Sequence, residues 1–267
     1  MSLPPLLLIG CGKMGGAMLA GWLEKGLPPE TVVVDPWINP AFAGRVRQVA
    51  GIADIPQGFA PAAVILATKP QEAPNALPAL AHLVRPETVF LSIMAGKTVA
   101  GMSRLLGGTP RVVRAMPNTP AAVRLGFTVA CPGPGVTEAQ RGLCDTLLSA
   151  IGEAAWVEQE SLIDPVTAVS GGGPAYVFLL AEVMEKAAIS QGLPPDLARR
   201  MARATVAGSG ALLAASTEDA AQLRVNVTSP KGTTERALAV LMRPEAWPAL
   251  MEEAIEAATA RSRELAG

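Results

Sequence analysis

The chain has little of the chemistry from which most catalytic centres are built. Its 267 residues include three cysteines and one histidine, and only 4% are aromatic. Cys11, Cys131 and Cys144 are too few and too scattered for a disulfide framework or a zinc site, which fits a reducing, cytoplasmic environment. The one histidine, His82, lies in a segment that is typical of an ordinary helix. These scarcities argue against a metal centre and against histidine-based proton relays.

The chain also lacks an excess of charge and a long hydrophobic run. Its 22 basic and 23 acidic residues give a formal net charge of −1 and are spread along the sequence, unlike the basic patches of proteins that bind nucleic acids or anionic membranes. The longest charge-free runs, such as residues 165–181, are interrupted by glycine and proline, whereas a transmembrane helix needs about 20 apolar residues. We therefore expect no transmembrane helix and a small-molecule partner.

The hydrophobic pattern divides the chain into two parts. Short branched-aliphatic runs alternate with helix-like segments over the first 160 residues, which predicts a parallel α/β sheet. The expected strands are Leu6 to Ile9, Val32 to Val34, Val64 to Ala67, Val89 to Ile93 and Val112 to Val113. From Ala175 to Ala266 the sequence favours helices, interrupted by turns. We predict an α/β domain at residues 1–160 and an all-helical domain at residues 161–267.

A glycine-rich turn follows the first predicted strand and opens a helix. In this context G-x-G-x-x-G is the fingerprint of a Rossmann-type, doubly wound dinucleotide-binding domain, with the pyrophosphate at the helix N-terminus. Asp35 ends the second strand, where a carboxylate binds the 2′-OH of NADH and repels the 2′-phosphate of NADPH. Asp35 favours NADH, although Arg45 and Arg47 lie close enough in sequence to bind a phosphate instead. The candidate cofactor residues of the turn are Gly10, Cys11, Gly12, Lys13, Met14 and Gly15.

A second loop, Asn226 to Thr234, is rich in hydroxyl groups and far from the fingerprint. Its side chains can donate and accept hydrogen bonds, and Gly232 lets bare backbone approach a ligand closely. Such a loop is suited to a small anion. It is equally suited to starting a helix, because threonine is a favoured N-cap residue.

Three further motifs, together with this loop, make the chain similar to a known family. They are Ala67-Thr68-Lys69-Pro70, Arg114-Ala115-Met116-Pro117-Asn118-Thr119-Pro120 and Ser170-Gly171-Gly172-Gly173-Pro174-Ala175-Tyr176. From Gly10 to about Leu241, in order and spacing, the chain resembles pyrroline-5-carboxylate reductase. It departs from the family pattern at Gly172, where the family usually has serine, and at Lys231, where the family usually has glycine.

The resemblance implies reduction of the cyclic imine 1-pyrroline-5-carboxylate to L-proline by NADPH or NADH, the last step of proline biosynthesis. It implies that the Ser229 hydroxyl and the N–H groups of Gly232 and Thr233 hold the substrate carboxylate. It further implies that the Thr234 hydroxyl binds the ring nitrogen, and we expect Thr234 to deliver the proton. No covalent nucleophile and no metal are needed, because a protonated imine is already activated.

By the same resemblance, further residues line the cofactor: Ala67, Lys69, Pro70, Ala95 and Asn118, with Gly96 beside Ala95 on the wall facing the nicotinamide. Each has a structural alternative, such as a solvated charge for Lys69 or a rigid loop around Asn118. Glycines 171–173 are expected to allow close approach of two domains. Glu182 either faces the site or lies in solvent.

The long alanine and leucine surfaces of the helical part predict at least a homodimer. In the family that the chain resembles, these helices interleave between two subunits, which makes the helical part a dimerisation domain. Of two other possible functions, the sequence argues against the first and leaves the second open. A β-hydroxyacid dehydrogenase requires a lysine with an asparagine four residues later, and no lysine of this chain has that neighbour. A dinucleotide-sensing protein would bind NADH without turnover.

Overall fold

The computed structural model describes residues 3–266 and divides the chain into two compact units. The first, which we call the sheet unit, comprises Met1–Gly171 and Ala258–Gly267. The second, the helical unit, comprises Gly172–Ala257. This division follows contacts within the chain. The boundary between the two functional domains, predicted between residues 160 and 161, stays a prediction.

The sheet unit contains one eight-stranded sheet in the order β3-β2-β1-β4-β5-β6-β7-β8. Strands β1 to β6 are parallel, β7 is antiparallel to β6, and β8 is parallel to β7. The chain moves outward from β1 to β3 and then returns to β1's other side with β4, which is the doubly wound topology. The strands are β1 (Leu6–Ile9), β2 (Val32–Val34), β3 (Arg47–Val49), β4 (Ala63–Leu66), β5 (Val89–Ser92), β6 (Val112–Met116), β7 (Gly126–Pro132) and β8 (Gly152–Trp156).

Helices cover the sheet on both faces, and their apolar sides form two buried clusters with alternate strand residues. Leu6 and Leu8 point into one cluster with Trp22, while Leu7 and Ile9 point into the other with Phe90. Since successive strand residues face opposite sides, a strand that is apolar throughout is buried on both faces. The helices of this unit are α1 (Lys13–Glu24), α2 (Ala73–Ala79), α3 (Val99–Leu105), α4 (Glu138–Leu148) and α5 (Ile163–Val166).

The predicted α/β fold and all five predicted strands are confirmed, with differences of a few residues at their ends. Three strands were missed by the sequence analysis. The first, β3, is a three-residue edge strand, and β7 and β8 contain glycine, alanine and proline in place of a branched-aliphatic run. Tertiary pairing, rather than local preference, makes these segments strands.

The helical unit contains α6 (Gly173–Ser190), α7 (Pro195–Ala215), α8 (Ala220–Asn226), α9 (Thr233–Leu241) and the start of α10 (Trp247–Ala266), whose end belongs to the sheet unit. Pro174 lies in the first turn of α6, where its missing N–H costs nothing. Most large apolar side chains of these helices are exposed in the single chain, among them Phe178, Leu179 and Trp247. The all-helical second part is as expected.

One helical stretch of the described residues, Glu160–Ser190, is long and apolar enough to cross a membrane by length and composition alone. Its most apolar window is only 6% buried within the chain. A helix whose apolar face meets another protein subunit satisfies the same criterion.

Candidate functional site

The predicted cofactor residues of the sheet unit all follow the carboxyl ends of parallel strands. Gly10 follows β1, Asp35 follows β2, Ala67 follows β4, Ala95 lies just beyond β5, and Asn118 lies just beyond β6. Because these strands are parallel, their carboxyl ends share one edge of the sheet. Strand β1 lies between β2 and β4, where the chain reverses its direction of winding. Open α/β sheets bind ligands at such a switch point.

Two glycines of the fingerprint are required by the packing of the chain itself. Gly10 has a φ of 92°, and a Cβ atom there would lie 2.8 Å from the Ala67 carbonyl oxygen. A Cβ atom on Gly15 would lie 2.2 Å from the Gly10 carbonyl oxygen. The turn between β1 and α1 can therefore close only with glycine at both positions.

Gly12 is different, because a Cβ atom there would meet no protein atom within 4 Å. It is the N-cap of α1, and its first turn has no side-chain cap within the described residues. The first-turn N–H groups of a helix are an anion-binding site, and the open space at Gly12 lets a phosphate approach the backbone. The arrangement fits a dinucleotide pyrophosphate.

Asp35 is fixed against the fingerprint turn by its own carboxylate. Its Oδ2 accepts a hydrogen bond from the Cys11 N–H at 2.6 Å, and its Oδ1 accepts one from the Trp37 N–H at 2.8 Å. Arg47, which the sequence left as a possible phosphate ligand, pairs with Val32 at the start of β2 and so lies at the opposite end of that strand. The Asp35 carboxylate is therefore held at the carboxyl end of β2, away from Arg47.

The three cysteines are buried and free. Burial, with the Asp35 carboxylate as a second cause, raises the pKa of the Cys11 thiol to about 11. Burial, with a smaller contribution from Asp145, raises the pKa of the Cys144 thiol to about 12. Since the thiolate is the nucleophile, neither cysteine is an activated nucleophile at neutral pH. Cys11 therefore contributes to the turn through its backbone.

Exposure varies from residue to residue within the loops after β4 and β5. Lys69 is exposed and precedes a short 3₁₀ turn that begins at Pro70. Ala95 is exposed, whereas Gly96 is buried with a φ of 66°, a left-handed conformation that favours glycine. Ala67 is half-buried, and its N–H donates to the Ile9 carbonyl oxygen at 2.8 Å.

Asn118 connects three segments of the sheet unit. Its Oδ1 accepts a hydrogen bond from the Phe127 N–H at 2.9 Å, and its Nδ2 donates to the Ser170 hydroxyl at 3.2 Å. One amide hydrogen of Nδ2 remains for a further acceptor. The side chain is thus held in one orientation at the carboxyl end of β6.

The hydroxyl-rich loop lies in the helical unit, between α8 and α9. The Gly232 N–H donates to the Ser229 carbonyl oxygen at 3.0 Å, and a Cβ atom on Gly232 would lie 2.9 Å from that oxygen. Gly232 is the N-cap of α9, with no side-chain cap in the described chain. Ser229 and Thr233 are exposed, and Thr234 is half-buried. The loop therefore does start a helix, and it leaves hydroxyl and N–H donors together at that helix's N-terminus.

The two departures from the family pattern occupy different backbone environments. Lys231 has a φ of 59°, the left-handed region that favours glycine, and its N–H donates to the Glu235 carboxylate. Gly172 has an ordinary helical φ of −80° and is the N-cap of α6. The backbone thus explains why glycine suits position 231, and gives no comparable reason at position 172.

Sequence reasoning missed a buried group of charges around Arg114 in β6. Its guanidinium contacts Glu160 at 3.1 Å and Asp164 at 3.6 Å, with 4% of the Arg114 side chain exposed. The signal was available, because a charged residue between apolar residues of a buried strand needs a partner. The identity of that partner was not available, since Glu160 lies 46 residues away.

Two other candidates have simple environments. Glu182 is exposed and forms an ion pair with Lys186 on the same helix, with 2.5 Å between Oε1 and Nζ. The exposed His82 has its Nδ1 2.8 Å from the Ala79 carbonyl oxygen. Among residues 3–266, no group of three or more His, Cys, Asp and Glu side chains is arranged to hold a metal ion.

Two family descriptions match this chain. "Pyrroline-5-carboxylate reductase dimerisation" matches residues 160–265, and "NADP oxidoreductase coenzyme F420-dependent" matches residues 6–96. The first contains the hydroxyl-rich loop, and the second contains the fingerprint, Asp35 and the loops after β4 and β5.

Relatives match over nearly the whole length. The chain is 38% identical to the pyrroline-5-carboxylate reductase of Pseudomonas aeruginosa, covering 100% of this chain and 98% of the relative. It is 35% identical to the Escherichia coli enzyme of the same name, covering 87% and 88%.

Solved structures agree. A pyrroline-5-carboxylate reductase from Coxiella burnetii has a TM-score of 0.90 at 30% identity, with 99% of each chain covered. The Plasmodium falciparum pyrroline carboxylate reductase with NADP bound has a TM-score of 0.84 at 24% identity, with 100% of each chain covered, and it supports the fold. The resemblance inferred from the sequence motifs is confirmed: the chain belongs to the pyrroline-5-carboxylate reductase family of NAD(P)-dependent oxidoreductases.

Proposed function

We propose that this protein reduces the C=N bond of 1-pyrroline-5-carboxylate to give L-proline, with NADH or NADPH as the reductant. The observation that carries the proposal is that, in a member of this family, two separate helix starts have no side-chain cap among residues 3–266. One is the uncapped start of α1 at the switch point of the sheet, and the other is the uncapped start of α9 beside three hydroxyl groups. The first suits a dinucleotide and the second a small carboxylate.

Residues of the sheet unit would hold the dinucleotide. The open backbone at Gly12 and the first turn of α1 would bind the pyrophosphate, while Gly10 and Gly15 let the turn close. The other residues proposed here are Cys11, Lys13, Met14, Asp35, Ala67, Lys69, Pro70, Ala95 and Asn118. When bound, the nicotinamide supplies the hydride that reduces the imine carbon.

The loop before α9 would hold the substrate carboxylate. The Ser229 hydroxyl is exposed, and the Thr233 N–H lies in the uncapped first turn of the helix. The Gly232 N–H already donates to Ser229, so we propose that it shares its hydrogen with the carboxylate. A helix N-terminus favours an anion, and Lys231 adds a positive charge next to it.

Thr234 would act on the ring nitrogen. Its hydroxyl can accept a hydrogen bond from a protonated imine and can donate one to the amine nitrogen that forms. In the proposed step the imine nitrogen gains one proton and the imine carbon gains one hydride. The proton comes from the Thr234 hydroxyl, which water then re-protonates, or from water directly. Positioning of the two reactants then accounts for most of the remaining rate enhancement.

We further propose that NADH is preferred, because Asp35 is held in place by two backbone N–H groups. A fixed carboxylate accepts a hydrogen bond from the 2′-OH and repels a 2′-phosphate. Parallel assays would show a lower KM for NADH than for NADPH. A lower KM for NADPH would contradict the preference and leave the reaction intact.

We propose that residues 161–267 form the dimerisation and substrate-binding domain of a cytoplasmic homodimer or larger homo-oligomer. The exposed apolar side chains of α6 and α10 and the matched dimerisation family support association. The balanced net charge supports a function without nucleic acid or membrane partners. The active site would then combine one chain's sheet unit with a helical unit of its partner.

The test is the loss of NADH and of NADPH absorbance, in parallel, when the purified protein meets 1-pyrroline-5-carboxylate. We expect rapid oxidation with an equal amount of proline formed. Protein that binds NADH but oxidises neither cofactor would contradict the proposed reaction and favour a dinucleotide-sensing role.

A further inference from the structure

The buried charges around Arg114 connect the end of the chain to a loop at the ligand-binding edge of the sheet. The Arg114 guanidinium is held between Glu160 and Asp164, whose side chains are 30% and 10% exposed. A buried arginine needs both the opposite charge and hydrogen bonds to offset its lost hydration. Glu160 and Asp164 therefore have fixed positions relative to β6.

Asp164 is also bound from the last turns of α10. The Ser262 hydroxyl donates to its Oδ1 at 2.8 Å, and both residues are buried. Thr259, one turn earlier on the same helix, is buried as well. The end of α10 thus packs within the sheet unit partly through the buried polar side chains of Thr259 and Ser262.

Glu160 reaches the loop between β5 and α3. Its Oε1, which pairs with Arg114, also accepts a hydrogen bond from the Val99 N–H at 2.7 Å. Val99 is the first residue of α3, and the loop before it contains Ala95 and Gly96. The end of that loop is therefore hydrogen-bonded to the Glu160 carboxylate, which also pairs with Arg114.

The other side of this loop touches α10 directly. A Cβ atom on Gly96 would lie 3.0 Å from both the Cβ and the carbonyl oxygen of Leu265. Gly96 has a φ of 66°, so it provides both the backbone conformation and the space that the close contact requires. The loop is thus held between the Glu160 carboxylate and the last turn of α10.

We infer that the last turns of α10, acting through Ser262, Asp164, Arg114 and Glu160, are a positioning element for the nicotinamide-facing loop at Ala95 and Gly96. This inference rests on the proposed function, in which that loop lines the nicotinamide end of the cofactor. Ser262 and Leu265 touch neither substrate nor cofactor in this account. They act by fixing the loop before a ligand arrives, which lowers the ordering cost of binding.

The test compares two ligands on the full chain carrying Ser262→Ala. NADH contains the nicotinamide, and ADP-ribose contains the adenosine and pyrophosphate without it. Loss of one hydrogen bond to a charged group should weaken NADH binding by about 3- to 10-fold, measured as Kd by calorimetry. Binding of ADP-ribose should be unchanged. If NADPH is the preferred cofactor, the 2′-phosphorylated pair replaces these two ligands.

Two variants control this comparison. Arg261→Ala changes the same turn of α10 but removes only an exposed ion pair with Glu264, at 2.7 Å, and should leave both Kd values unchanged. Ser262→Thr retains the hydroxyl and should restore most of the NADH affinity.

The inference is overturned if Ser262→Ala weakens NADH and ADP-ribose equally, or weakens neither while lowering the melting temperature. Either result would assign α10 a purely stabilising role. Because the readout is binding, it is separate from the turnover assay, whose failure would overturn the proposed function. In turnover, Ser262→Ala should raise the KM for the cofactor and leave the KM for the imine nearly unchanged.

Discussion

The sheet unit buries nearly all of its strands, whereas the helical unit buries almost nothing in the single chain. Every residue of β1, β2, β4 and β5 is buried, but in Gly172–Ala257 only Ala198 and Ala202 are. The helices α6 and α10 form an open apolar cavity of about 430 Å³, lined in part by Tyr176, Leu180 and Trp247. One unit has a complete core, and the other requires a surface to cover it.

The two units also differ in how they hold their proposed binding sites. The fingerprint turn is rigid because the packing of the sheet unit demands glycine at defined positions. The loop before α9 is placed by an exposed helix, so its orientation depends on what that helix packs against. We therefore expect dinucleotide binding to survive changes that abolish association, and turnover not to survive them.

The largest effect should come from placing a charge in the apolar cavity of the helical unit. Leu179→Glu puts a carboxylate among apolar side chains, and an unpaired charge is not tolerated in an interface. We expect sedimentation to show monomers, with turnover lost and NADH still bound. The exposed Lys186 on the same helix supplies the control, because Lys186→Gln should remain associated. An associated, active Leu179→Glu protein would show that this cavity is not the subunit contact.

The next largest effect should be on chemistry alone. Thr234→Ala removes the proposed proton donor and should lower turnover by roughly 10- to 1000-fold, the upper part of which is typical for loss of a positioned proton donor. Thr234→Ser retains the hydroxyl and should keep most of the activity. Association and NADH binding should be unchanged in both variants. Unaltered kinetics in Thr234→Ala would remove this residue from the mechanism.

Two glycines of the fingerprint should separate stability from binding. Gly15→Ala forces a Cβ atom to within 2.2 Å of a carbonyl oxygen and should reduce the free energy of unfolding by about 1–3 kcal/mol or more. Gly12→Ala meets no protein atom, so the melting temperature should hold while NADH affinity falls by about tenfold, equivalent to about 1.4 kcal/mol. If Gly12→Ala lowers stability as much as Gly15→Ala does, the space around Gly12 is not open to a ligand.

The smallest effect concerns Lys231. Its left-handed backbone costs about 1–2 kcal/mol for a residue with a Cβ atom, so Lys231→Gly should raise the free energy of unfolding by about 1 kcal/mol. Lys231→Met keeps the strain and removes the charge. If the charge assists the substrate carboxylate, both variants should raise the KM for the imine by a similar factor. An unchanged KM in both would limit Lys231 to a structural role.

The sequence predicted features that depend on local pattern. Gly10, Gly15 and Asp35 were identified because strand, turn and helix signals follow one another within a few residues. The Val99 contact with Glu160 and the Ser262 contact with Asp164 were not, since their partners are 61 and 98 residues apart. Only folding brings such residues together, and the hydrophobic periodicity of the sequence does not predict which distant residues will meet.

Other differences arise where tertiary contacts override local preference. Strand β7 has an exposed Phe127 and ends at Pro132, and it becomes a strand because β6 and β8 pair with it. The Asp35 carboxylate was predicted to face a ribose, and the structure adds that it holds the Cys11 N–H. A sequence shows that a carboxylate is present at a strand end. It does not show how many hydrogen bonds that carboxylate accepts from backbone N–H groups.

The most direct test follows turnover and subunit association on the same dilution series. Proline formation from 1-pyrroline-5-carboxylate should fall in parallel with dissociation of the oligomer, while the affinity of each chain for NADH stays constant. That result would show a complete dinucleotide site in the sheet unit and a catalytic site that requires association of the helical unit. A monomer that forms proline at the full rate per chain would contradict the account.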